Sequence, residues 1–223
     1  MNKPFFIRVL TVCLLVSLLG MPAPASASAS DGSRSGVVVV EDLLPTLSPT
    51  FVPWTCRSAR TGPVCRGQRH RDTAWEPAGL PCAVPVWNHM VSDRTQTRYY
   101  DHDNLNYFRK FRSNDVDYFS TSPTGENAGS VTTRGHFFET FGVRGDDKTI
   151  TVTTKGVIWD VRMPQGRSLF RVVGTLVEPY NAPETFTGVV TLDGITTHYR
   201  NVPLSTFTTE DVFFALLCRS AIG

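Results

Sequence analysis

The sequence predicts an all-β fold, a single antiparallel β-barrel or β-sandwich that ends in one short helix and is stapled by disulfides. Short runs of β-branched and aromatic residues, separated by turn residues, follow one another after Cys82. The loops between these runs are too short for crossover helices, which favours antiparallel pairing. Cys13 lies in an N-terminal leader, and the remaining cysteines are even in number, as expected for disulfides in an exported chain.

The pattern after residue 82 predicts a series of strands within one β domain over residues 83–223. Turn residues mark the strand ends, and Asp193-Gly194 is a pair that suits a two-residue hairpin turn. The predicted strands are 84–91, 96–100, 105–112, 116–120, 130–141, 149–154, 157–163, 169–178, 185–192 and 196–201.

The end of the chain departs from the strand pattern. Thr208 and Thr209 offer a hydroxyl cap, Glu210 and Asp211 place acids in the first turn, and an apolar run follows at 212–217. This order is a helix start signal. We expect one helix over about 208–218 that delivers Cys218 to the β body.

The first 29 residues have the order of a secretory signal peptide. Lys3 and Arg8 precede an apolar stretch at 9–21 and a run of small residues. The apolar stretch is shorter than the roughly 20 residues that span a bilayer, so cleavage after Ala27 or Ala29 is favoured over a retained anchor. The mature protein is therefore expected to be secreted, without a membrane span.

Two segments precede the β domain. Residues 30–50 are predicted to be a flexible leader, and residues 51–82 an irregular, basic segment that contains cysteines. Three disulfide pairings are possible; we favour Cys56–Cys65, which closes a short loop, and Cys82–Cys218, which ties the start of the β region to its end. A zinc site is disfavoured because the chain has no Cys-x-x-Cys, and no metal or other cofactor is expected.

Charge argues against a generally basic protein. The chain has 22 Lys and Arg against 20 Asp and Glu, and Lys3 and Arg8 leave with the signal peptide, so the mature chain is formally neutral. Net charge therefore does not favour nucleic acid as a partner. A local cluster of cations with tryptophans nearby is still a candidate binding patch for an anionic polymer, although arginines in solvated loops are the commoner case. The candidate binding residues are Arg57, Arg66, Arg69, Arg71, Trp54 and Trp75.

Catalytic candidates are few. His136 and His198 alternate with apolar neighbours in predicted strands and would face one cavity if their strands paired. Glu139 and Asp160 are strand acids that would serve as acid and base across a cleft, but ion pairing with strand arginines is the competing interpretation. The sequence has no Gly-x-Ser-x-Gly elbow. Whether the protein is an enzyme is left uncertain, with the balance against it.

Several short motifs carry a family resemblance over about residues 80–220. They are 81–86 (PCAVPV), 122–131, 154–157 (TKGV), 166–170 (GRSLF) and the closing run at 211–218. In this order they resemble uncharacterised secreted β proteins of actinobacteria. The resemblance implies a β domain closed by a terminal cysteine and no known activity. The chain departs from the pattern in a shorter turn at 126–129 and in the additional Cys56 and Cys65 segment.

These observations predict a secreted, non-catalytic β-domain protein that binds a small or polymeric ligand outside the cell. An extracellular small molecule or an envelope polymer is the expected partner. Two alternatives stay open: a secreted hydrolase or cyclase-like enzyme that uses strand histidines and acids, and a structural or interaction protein of the cell envelope. A ligand inside the β body would need a cavity lined by residues such as Phe137, Trp159 and Phe170; tight packing there would exclude it.

Overall fold

The structure is a computed structural model, and it describes residues 42–223. The predicted signal peptide at 1–29, its cleavage site and the first part of the predicted leader lie outside the described residues. All statements below concern the described part of the chain.

The described chain forms one ten-stranded antiparallel sheet followed by one helix, and this confirms the predicted all-β fold. The strands are β1 (Thr55–Ala59), β2 (Gly62–Asp72), β3 (Glu76–Pro77), β4 (Trp87–Tyr100), β5 (Asn106–Ser120), β6 (Gly129–Phe141), β7 (Ile150–Arg162), β8 (Ser168–Glu178), β9 (Thr185–Leu192) and β10 (Ile195–Val202). Their hydrogen-bonded order is β1-β2-β4-β5-β6-β7-β8-β9-β10, and β3 pairs with one end of β4.

Three strands are longer than predicted, because pairs of predicted strands are continuous. β4 runs through the predicted gap at 92–95, β5 through 113–115 and β7 through 155–156. The polar residues in these gaps looked like turns, but Asp93, Asn114 and Gly156 each have a register partner on a neighbouring strand. The ladder continues because polar side chains alternate between the solvated face and the other face, where Ser92 and Arg94 bond to Asp115.

The prediction of an irregular segment at 51–82 is wrong. Cys56 and Cys65 lie directly opposite each other in the β1–β2 hairpin and form the predicted disulfide. β2 then pairs along β4 from Val64 opposite Tyr99 to Asp72 opposite Val91. Exposed and covered residues alternate along β2, as in a strand with one solvated face. The many basic residues of this segment obscured the alternation in the sequence.

The described end of the predicted flexible leader is also ordered. Leu43 is fully buried in a cluster with Cys65 and Tyr100, and the backbone of Leu44 bonds to both Asn104 and Asn106. Burial of apolar side chains and backbone pairing hold this segment against the sheet.

Helix α1 (Glu210–Ile222) covers one end of the sheet. Thr209 caps it by accepting a hydrogen bond from the Val212 amide, as the sequence predicts, and the helix runs four residues beyond the predicted end. The Phe213 ring packs on Trp159 at 5.1 Å, and Trp159 stacks on Phe170. Trp159, Phe170 and Phe213 are thus buried against one another, whereas Phe137 on β6 is half-buried.

The second predicted disulfide, Cys82–Cys218, is also present. It joins the segment before β4 to helix α1, with the Cα atoms 5.5 Å apart. It therefore ties the two ends of the β domain together, as predicted.

A single register row crosses the middle of the sheet and changes character part-way. On β2, β4 and β5 the row holds Arg69, Arg94 and Ser113. On the next four strands it consists of directly paired glycines, which are Gly135, Gly156, Gly174 and Gly188. A Cβ atom on Gly174 would lie 2.7 Å from the Cα of Gly188, so the backbones approach closely only because both residues are glycine.

Candidate binding groove

Strand alternation gives the central strands two distinct faces. On β4, the even-numbered residues from Ser92 to Arg98 point to one side, where Ser92, Gln96 and Arg98 are buried, and the odd-numbered residues point to the opposite side. We call the side that carries Ser92 the buried face and the other side the exposed face. Register extends this assignment to β5 and β6, because directly paired residues share a face.

The buried face of β4 and β5 carries a charged network. Asp115 is 4% exposed and accepts hydrogen bonds from Ser92 Oγ at 2.6 Å and from two Arg94 nitrogens, the shortest at 2.7 Å. A bidentate arginine and a hydroxyl satisfy a buried carboxylate, so this cluster serves the fold.

Glu139, a candidate catalytic acid, belongs to a second network on the buried face. Arg109 donates to Glu139 at 3.1 Å and to Asp147 at 2.6 Å. Burial raises the pKa of Glu139, and the charge of Arg109 opposes that rise. Glu139 is therefore an ion-pair partner, as the competing interpretation held.

The other catalytic candidates do not come together with Glu139 or with one another. Asp160 is buried and accepts from Arg162 at 2.8 Å and from Ser168 at 2.9 Å. Its position on β7 is about 25 Å along the strand from Val152, the residue paired with Glu139. His136 on β6 and His198 on β10 are both exposed, and three strands separate them. The structure assembles no acid–base pair from the four candidates.

The predicted basic and aromatic patch is divided between different surfaces. Arg66 is on the exposed face of β2, whereas Arg69 and Arg71 are on its buried face. Trp54 packs under the Arg98 guanidinium at 5.4 Å, while Trp75 stacks on His89 at the other end of β4. Arg57 is exposed on β1. The six predicted residues therefore do not form one binding surface.

An open groove crosses the central strands roughly at right angles to them. It consists of two adjoining pockets of about 780 and 510 Å³ that share Arg112, Ser113 and Asn114. The first pocket spans β2, β4 and β5 and is also lined by Thr50 and Val52, and the second continues from β5 onto β6. Phe51, between Thr50 and Val52, packs on Arg69 and Phe111 of the buried face.

At the same level of the sheet, two register rows point their side chains to the exposed face, and we call them the exposed rows. Their members are paired directly from strand to strand, so they line up across the sheet. One row is Gln68, Thr95, Arg112 and His136, and the other is His70, Asp93, Asn114 and Arg134. Lys155 is the register partner of His136 and extends the first row onto β7.

The exposed rows carry more positive than negative charge. Asp93 is the acid in them, and it is hydrogen-bonded to His70 at 2.7 Å. Within residues 42–223, no acidic side chain lies within ion-pair distance of Arg112, Arg134 or Lys155. All three are exposed, so their charges are available to a ligand.

A strip of aromatic rings lies beside the first row on the same face. His136 stacks with Phe138, whose centroid is 6.2 Å away, and Phe138 stacks with Phe108 at the same distance. Tyr99 follows at 5.5 Å from Phe108, and the Lys155 ammonium is 5.7 Å from the Phe138 centroid. We call Tyr99, Phe108 and Phe138 the aromatic strip.

Sequence reasoning did not identify Arg112, Asn114 or Lys155 as binding residues. Each of the three lies two positions along its strand from another residue on the same face, and this alternation is visible in the sequence. Only the register joins them across strands, since Arg112 pairs with His136 and His136 with Lys155. A one-residue slip between strands would send these side chains to opposite faces.

Comparison with protein-family models, with curated proteins and with solved structures finds no match to this chain. The resemblance to actinobacterial secreted proteins stays a prediction. Within residues 42–223, no helix has the length and apolar character to cross a membrane. The same residues contain no group of three or more His, Cys, Asp or Glu placed to hold a metal ion.

Proposed function

We propose that this is a secreted, non-catalytic binding protein whose ligand is an extended anionic molecule lying across the exposed rows. The observation that carries the proposal is the exposed rows themselves, which line up across the sheet and carry Arg112, Arg134 and Lys155 without an acidic partner among residues 42–223. The leader and the two disulfides support an extracellular location.

The length of the exposed rows favours a chain-like ligand over a single small ion. The rows cross β2, β4, β5 and β6, and adjacent strands are about 4.8 Å apart, which gives a length of about 15 Å between the outer strands. An ion would occupy only one part of this length. An envelope polymer with repeated negative charges would occupy all of it.

The side chains suit carboxylate, phosphate or sulfate groups. Arg112 and Arg134 present guanidinium groups that bind such anions through two parallel hydrogen bonds, and Lys155 adds a point charge. Asn114 and Gln68 offer amide groups for hydroxyl or carbonyl groups of the ligand. Because the cations are exposed, binding should weaken as ionic strength rises.

A polyanion matrix tests this proposal. The mature protein should be retained on immobilised heparin at low salt and should pass through a neutral dextran column. The Arg112→Gln/Arg134→Gln variant should elute at clearly lower salt, because each lost cation removes an ionic contact. The matched control is Arg167→Gln/Arg200→Gln, which removes two exposed cations from the loop after β7 and from β10.

The control variant should elute with the wild type. Elution of the wild type together with neutral proteins would end the proposal. Equal loss in both variants would assign retention to overall charge and would also overturn it.

A further inference from the structure

We infer that the ligand is an acidic polysaccharide, in which sugar rings carry the anionic groups. This inference rests on the proposed function and adds the aromatic strip to it. The strip lies on the same face as the exposed rows and begins beside His136, which is a member of the first row. A ligand on the exposed rows therefore has rings within reach on one side.

The strip has the chemistry that recognises sugars. The C–H face of a sugar ring is apolar and packs on aromatic side chains, while its hydroxyl groups stay in solvent or bond to polar neighbours. Tyr99, Phe108 and Phe138 are half-buried, and they lie next to one another at 5.5 and 6.2 Å. They give a continuous surface for consecutive rings of a chain.

Cations are interleaved with these rings. Lys155 lies against Phe138, and Lys110 is the direct register partner of Phe138 on β5. Arg112 is two residues further along the same face of β5. A polymer in which each ring carries a negative group would place its ring faces on the strip and its charges near these cations. A polymer of phosphate groups without rings would use the cations alone.

Single-stranded nucleic acid also combines rings with negative charge, but the overall charge of this protein is less suited to binding it. Nucleic-acid-binding domains are generally strongly basic, because most of their affinity comes from the phosphate backbone. Here 22 basic residues stand against 20 acidic ones. We therefore favour the polysaccharide and treat single-stranded DNA as an outcome of the test.

The experiment compares three polymers on the mature protein by titration at low salt. The probes are polygalacturonate, linear polyphosphate and single-stranded oligo-dT. We expect Phe108→Leu/Phe138→Leu to weaken polygalacturonate binding about tenfold, the size of losing two ring contacts, and to leave polyphosphate binding within about twofold. Phe138→Tyr keeps the ring and should retain wild-type affinity for polygalacturonate.

Each alternative outcome is distinct. Unchanged binding of polygalacturonate by the leucine variant, or equal loss for polyphosphate, would overturn the role of the strip. Ring-dependent binding of oligo-dT that is tighter than that of polygalacturonate would replace the polysaccharide with nucleic acid. If no polymer bound the wild type, or if Arg112→Gln/Arg134→Gln bound all three normally, the proposed function itself would fail. Thermal unfolding of each variant verifies that it is folded.

Discussion

The two halves of the sheet cover their buried face with different kinds of residue. In the first half, β1 to β5, the buried face holds arginines and acids that pair with one another, beside apolar residues such as Met90 and Tyr100. In the second half, β6 to β10, it is mainly apolar, with side chains such as Val161, Phe170 and Val172. The central row shows the change most directly, since it passes from Arg69, Arg94 and Ser113 to four consecutive glycines.

This difference indicates a division of roles. Apolar burial in the second half contributes hydrophobic stabilisation, roughly 25 cal/mol for each Å² removed from water. The first half leaves four buried polar atoms without a hydrogen-bond partner among the described residues, which are Arg69 Nε, Gln96 Oε1, Arg98 Nε and Ser113 Oγ. Such atoms cost stability. The half that is less well satisfied is also the half that carries most of the groove.

The two disulfides offer the largest test of this comparison. Cys82–Cys218 closes a loop of 136 residues onto helix α1, whereas Cys56–Cys65 closes one of 9 residues within the first half. Loop-closure entropy predicts a loss of about 5 kcal/mol for Cys82→Ser/Cys218→Ser and about 2.5 kcal/mol for Cys56→Ser/Cys65→Ser. Urea unfolding of the two variants measures the difference. A larger loss from the short loop would contradict this account of the two halves.

The central row gives the next largest effect. Gly156 has φ +129°, and a Cβ atom there would lie 2.5 Å from the Arg134 carbonyl oxygen. We expect Gly156→Ala to reduce the free energy of unfolding by about 3 kcal/mol through strain and displaced strands. Ser113→Ala, in the same row, removes a hydroxyl without a partner and should change stability by less than about 0.5 kcal/mol. Equal losses of stability for the two variants in thermal unfolding would contradict a difference between the glycine part and the polar part of the row.

The smallest expected effect is a change in the pH dependence of stability when a buried acid is replaced. Burial first, and then the charge of Glu184, raises the pKa of Glu178 in the second half to about 7 from its usual 4.5. The protonated form is favoured in the folded state, so its stabilising contribution is complete below pH 4.5 and is lost as pH rises through 7. Glu178→Gln should therefore stabilise the protein by roughly 2 kcal/mol at pH 8 and have little effect at pH 4.5.

Asp117 in the first half is the matched comparison for Glu178. Burial raises its pKa to about 6 from 3.8, while Asn88, Arg94 and Arg71 lower it. The pH window of Asp117→Asn should lie below that of Glu178→Gln, and its gain at pH 8 should be smaller because the substitution also removes attraction to the arginines. Denaturant unfolding at several pH values checks both windows. Coincident windows would contradict the assigned environments.

Local sequence signals predicted most of the fold. The boundaries of β9 follow from Asp193-Gly194 and from its β-branched run, and the helix start follows from Thr209 and the acids after it. These predictions succeeded because turn and cap chemistry acts within a few residues. The strand assignment failed at 51–82, where arginines and prolines hid a strand whose partner residues on β4 lie 19 (Asp72 to Val91) to 35 (Val64 to Tyr99) positions further along the chain.

The sequence by itself determined the all-β fold, the two cysteine pairs and the terminal helix, because each depends on local chemistry or on a small number of possible pairings. Only the tertiary structure decided which polar residues meet. Glu139 and His136 are three residues apart and lie on opposite faces, whereas Arg112 and Lys155 lie on separate strands and share a face through His136. Register sets that arrangement, and register follows from the packing of the whole sheet.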